Sequence, residues 1–119
     1  MLNMEPQKIR AILEQIKHFQ EKIDKYPKLT REKDSGYILS DPEYQNMLTI
    51  INTLPPDHQA TLVALVYLGH GDFRKTEWNE AFGVAQEQLT KHIGQYLLSQ
   101  PNVINNIEKG LKILGFTKH

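Results

Sequence analysis

The segment Gly69-His70-Gly71-Asp72-Phe73-Arg74 holds the most site-like set of side chains in this 119-residue chain. An imidazole can take or give a proton near neutral pH, and a nearby carboxylate can orient it. Two glycines would let the backbone turn tightly around them. The same residues also have a plainer reading as a helix cap, a solvated histidine and an aspartate serving a turn. No nucleophile or oxyanion donor is recognisable beside them, so no catalytic residue is assigned and the plainer reading is preferred.

A metal centre needs ligands that converge. The histidines stand at 18, 58, 70, 92 and 119, and no pair has the three- or four-residue spacing that puts two ligands on one helix face. His58 and His70 bracket an apolar stretch that, as a helix, would hold them about 18 Å apart. His92 falls on an apolar stripe between Leu89 and Tyr96 and reads as a satisfied core or boundary histidine, with Gln88 or Tyr96 to hydrogen-bond it. With no cysteine in the chain, disulfides, thiolate zinc sites and a cysteine nucleophile are excluded. No metal, no cofactor and no nucleotide fingerprint is expected.

Charge narrows the partners. Lys+Arg and Asp+Glu number 14 each, for zero net charge, so no overall field draws in nucleic acid or an anionic membrane. The placement is uneven. Residues 1–40 carry eight bases and six acids, 41–90 two bases and seven acids, and 91–119 four bases and one acid. That split suits ordinary solvated surface, and it also suits an acid-to-base contact between protomers or with a partner. A helix-turn-helix could be drawn from residues 56–99, but Glu77, Glu80 and Glu87 on its second helix would repel phosphate. Nucleic acid is not expected as a partner. No apolar leader is seen at the amino terminus, and the strongest apolar run, Leu62–Leu68, is far short of the roughly 20 residues that span a bilayer. A soluble, cytoplasmic protein without a membrane partner is expected.

The elements that would position these groups are all helical. Ile9, Ile12, Leu13, Ile16, Phe19, Ile23 and Tyr26 recur at three- and four-residue steps, which predicts an amphipathic helix ending at Pro27. Ile9, Ile16 and Ile23 also fall on one heptad seam, and Ile12, Phe19 and Tyr26 on the other. Residues 27–40 lack a period and read as a connecting loop. Ser40 and Glu43 have capping-box spacing for a second helix striped by Tyr44, Met47, Leu48, Ile51 and Leu54. A third, about 56–68, is apolar on nearly every side and should be the buried centre, with Gly69 as its cap. A fourth begins near Thr76 and runs to about Ser99, with Gly83 and Gly94 marking close packing or a bend. A fifth follows Pro101, with Ile104, Ile107, Leu111 and Leu114 inward and Gly115 capping it. The expected fold is all-α, a compact bundle of about five helices in one domain over 1–119: first helix 1–26, loop 27–40, helical core 41–116.

From Asp57 onward the chain resembles a small bacterial family, domain of unknown function 3775. The shared residues are Asp57, Gln59-Ala60, Leu62-Val63-Ala64-Leu65, Gly69, Gly71-Asp72, Trp78, Ala81, Ala85, Tyr96-Leu97-Leu98, Pro101, Glu108, Gly110-Leu111 and Leu114-Gly115. The resemblance implies a fold and brings no activity with it. The family more often has arginine where this chain has His70, which argues against a shared catalytic role there.

Most of the shared residues are ones that packing requires. Asp57, Asp72, Trp78 and Glu108 are less obviously so, and with His70 and Arg74 they make a candidate ligand or partner groove if the fold gathers them. The first-helix seam (Ile9, Ile12, Ile16, Phe19, Ile23) is a candidate self-association face. The sequence therefore reads as a non-catalytic protein-interaction or regulatory module, with a homodimer as one form. The alternative is a small ligand-binding protein or hydrolase-like enzyme using the His70–Asp72 loop.

Overall fold

A computed structural model describes residues 2–24 and 41–116, with the side chains of 23 and 24 left aside. Among these residues there are six α-helices and no strand: α1 (Pro6–Asp24), α2 (Pro42–Asn52), α3 (Pro56–His70), α4 (Trp78–Gln88), α5 (Ile93–Leu98) and α6 (Val103–Ile113). A 3-10 turn, Lys75–Glu77, leads into α4. The expected all-α bundle is observed. The expected loop over 27–40, with Tyr26 and the Ile23 side chain, lies outside the described residues.

The bundle is organised around α3. Ala60, Thr61, Leu62, Val63, Ala64, Leu65 and Leu68 are each no more than 1% exposed, and only Tyr67 is half-buried along that stretch. A helix with no polar stripe has no face to give to water, so it must be surrounded. Burying its leucines contributes roughly 1.5–3 kcal/mol apiece. Helices α6 and α4 pack directly against α3, while α1 bridges α2 and α6 and α5 lies on α2. Pro56 suits the first turn of α3. Nearby, Gln59 is buried and its amide donates to the Ile51 carbonyl at 2.9 Å, satisfying an acceptor at the end of α2.

Glycine decides the α3–α6 seam. A Cβ added at Gly69 would collide with the Asn106 backbone carbonyl, and one added at Gly110 would lie 2.5 Å from the Leu65 carbonyl oxygen. The two helix backbones touch at both positions. Gly69 is therefore an interior packing residue, not the cap. The cap is Gly71, at φ 98°, whose N–H donates to the Tyr67 and Leu68 carbonyls.

Four other expectations are corrected. The fourth helix is two helices, broken at Leu89, whose backbone is extended; the Thr90 hydroxyl then accepts from the His92 N–H at 3.1 Å, a turn that competes with helix continuation. His92 sits exposed in this break, off any apolar stripe. Of the two glycines expected to mark it, Gly94 does meet a neighbour, with its N–H on the Asn52 side-chain oxygen at 2.7 Å, whereas Gly83 has open space around it. At α2 the cap is Asp41, displaced by one residue from the expected Ser40; its carboxylate accepts from the Glu43 and Tyr44 N–H groups.

The first helix turns its apolar seam inward. Ile9, Ile12, Leu13, Ile16 and Phe19 are all between 0 and 7% exposed, and Phe19 packs on Tyr44 with ring centroids 5.5 Å apart. Four of the five residues expected as a self-association face, Ile9, Ile12, Ile16 and Phe19, are consequently part of the chain's own core, and the Ile23 side chain lies outside the described residues. At its far end α1 is tied by Lys22, whose ammonium lies 2.8 Å from the buried Asp41 carboxylate and 3.6 Å from Glu43. His18 adds a 2.7 Å contact to Glu43.

Candidate functional site

The six residues expected to share a groove are dispersed. Asp57 stands exposed in the first turn of α3, where its carboxylate accepts from the His58 N–H. His70 is the last residue of the same 15-residue helix and Asp72 and Arg74 follow it, which puts the His70 backbone roughly 20 Å from Asp57 at the usual rise. Glu108 is on the exposed side of α6. Trp78 is buried at 5% exposure and stacks near Phe82, so it belongs to the core. A long buried rod separates the ends of α3, and it cannot bring Asp57 to His70.

His70 and Asp72 do meet. The imidazole Nδ1 lies 3.2 Å from Asp72 Oδ2 and 3.3 Å from Oδ1. Both side chains are mostly in water, at 67% and 51% exposure, and they line none of the larger concavities. Arg74 gives its backbone N–H to the Glu77 carboxylate at 2.8 Å, which fastens the 3-10 turn. A solvated imidazole–carboxylate pair without a cavity has nothing to hold a substrate against it. Beneath the loop, Tyr67 and Phe73 pack with centroids 5.9 Å apart. Burial, and then the charges of Tyr96 and Asp72, push the Tyr67 hydroxyl above its ordinary pKa. Burial does the same for Tyr44. Among the described residues no three His, Asp or Glu side chains converge on a point where a cation could sit. No described helix is long and apolar enough to cross a membrane.

A concavity lies elsewhere, between α1 and α6. It encloses about 830 Å³. Leu111, Ile113 and Phe116 supply apolar wall, and Arg10, Lys109 and Lys112 supply the cationic rim, with Glu108 the one anion. Arg10 reaches from α1 to the far end of α6 and donates to the Phe116 carbonyl at 2.6 Å, which fixes one end of the groove. Glu108 also borders a smaller hollow of about 210 Å³ that continues the groove toward Lys17 and Gln20 on α1. Local sequence explains the arrangement. Val103, Ile107, Gly110 and Leu111 recur at three- and four-residue steps and point α6 at α3, which leaves Glu108, Lys109 and Lys112 on the side facing water.

Sequence reasoning found Glu108 and missed Arg10, Lys109 and Lys112. The available signal was the basic surplus of residues 91–119. What it lacked was the partner wall, because Arg10 and Phe116 are 106 positions apart.

No curated protein and no solved structure matches this chain. A family model does: that of the family described as protein of unknown function (DUF3775), over residues 44–116. The match starts upstream of Asp57 and takes in α2 almost whole, together with α3, α4, α5 and α6; α1 stands outside it. With more than half of its length so matched, including the central helix and the helices packed on it, the chain belongs to the DUF3775 family.

Proposed function

We propose that the protein is a non-catalytic interaction module whose binding surface is the α1–α6 groove, and that the groove takes an acidic segment carrying an apolar side chain. One observation carries the reading: the α1–α6 concavity combines apolar wall from Leu111, Ile113 and Phe116 with three cations at its rim. Such a surface offers burial to one side chain and long-range attraction to the carboxylates around it. The hydrolase-like alternative has less support, because the His70–Asp72 pair stands in solvent with no cavity beside it. One of the three rim cations, Arg10, comes from α1, outside the family match, and the rest of the lining comes from α6 and Phe116, inside it. Partner choice in this chain would then depend on a helix that the family pattern does not include.

The test is an amide NMR titration of the full chain with a short peptide of glutamates flanking one leucine. Shifts centred on Arg10, Lys109, Lys112 and Phe116, lost in the K109E/K112E variant, are the expected result. Shifts that centre on residues 70–74, or a spectrum the peptide leaves unchanged, would remove the reading.

A further inference from the structure

The same fold that builds a basic groove also presents an acidic ridge. Helix α4 faces α3 through Ala81 and Ala85, both fully buried, with Trp78 beside them. Its outer side carries Glu80, Val84 and Glu87, all exposed. They stand at i, i+4 and i+7, so they form one ridge, with an apolar knob between two carboxylates. Val84 is 37% exposed and is one of only two large apolar side chains so exposed among the described residues. Gly83, next to it, has no atom near where a side chain would be, which leaves the valine standing clear on that side.

Ridge and groove match in chemistry. The ridge has an apolar centre between negative charges, and the groove has an apolar wall under positive ones. Both belong to a chain of zero net charge, so two copies meet no overall repulsion while the patches attract. We infer that the groove's occupant is a second copy of this chain, with Val84 entering the groove and Glu80 and Glu87 facing Arg10, Lys109 and Lys112. This rests on the reading of the groove as a binding surface and names its partner. The contact joins two different surfaces. It closes into a two-fold dimer where both ridge–groove contacts form at once, and otherwise it propagates head to tail.

Charge swapping tests it. The full chain should show a mass above the monomer by sedimentation at millimolar concentration in low salt, and that association should weaken as salt rises. E80K/E87K and K109E/K112E should each lose the association while keeping their helical circular dichroism, because all four side chains are exposed. Mixing the two variants should restore a complex, since one keeps the native groove and the other the native ridge. A wild-type chain that stays monomeric, or association that survives both swaps, overturns the inference, and so does a mixture that fails to pair. The glutamate peptide separates the two readings. If it perturbs the groove of a strictly monomeric chain, the groove reading stands and the second copy falls; if neither peptide nor copy binds, both fall.

Discussion

Helix α6 has two long sides, and they obey different rules. Toward α3 it is dry and so close that backbone meets backbone, with Gly69 under Asn106 and Gly110 under Leu65. Toward α1 it leaves a hollow of about 830 Å³ with charged side chains at its rim. On the first side a single carbon atom has nowhere to go. On the second, whole side chains can change and the bundle need not notice. The contrast separates residues that specify the fold from residues that remain free to specify a partner.

The comparison can be broken most forcefully at the seam. Gly69→Ala should destabilise the protein by about 3 kcal/mol, at the upper end for overpacking, because the new methyl meets a carbonyl that cannot turn away. Urea denaturation would read it, and an unchanged midpoint would show that the seam can part. A glycine in open space should behave in the opposite sense. Gly83→Ala in α4 adds helix propensity without a clash and should raise stability by up to about 1 kcal/mol in the same measurement. The smallest effect is expected outside both regions. His70→Ala removes an exposed ring, so stability should hold within about 0.5 kcal/mol; a thermal midpoint lowered by several degrees would show the loop to be structural.

The sequence states some of this openly. The run from Ala60 to Leu68 has no polar face, and that alone places α3 at the centre. The three- and four-residue steps in α1, α2 and α6 say which sides turn inward. Whether the inward side of α1 meets its own domain or a second copy was not legible, because the same seven-residue repeat serves either. Gly69 read as a cap since a glycine near a helix end usually is one; its role depends on Asn106, which only the fold brings near. The break at Leu89 was hidden under a stripe that continues on both sides of it. The candidate groove was legible only as a surplus of lysine, since its walls come from opposite ends of the chain.

The ion pair between Lys22 and Asp41 has a consequence for how two helices share one residue. It joins the last turn of α1 to the cap of α2, so a single carboxylate both starts one helix and anchors its neighbour. Losing Asp41 would therefore act in two places at once: the Glu43 and Tyr44 N–H groups lose an acceptor, and the Lys22 ammonium loses a buried partner 2.8 Å away.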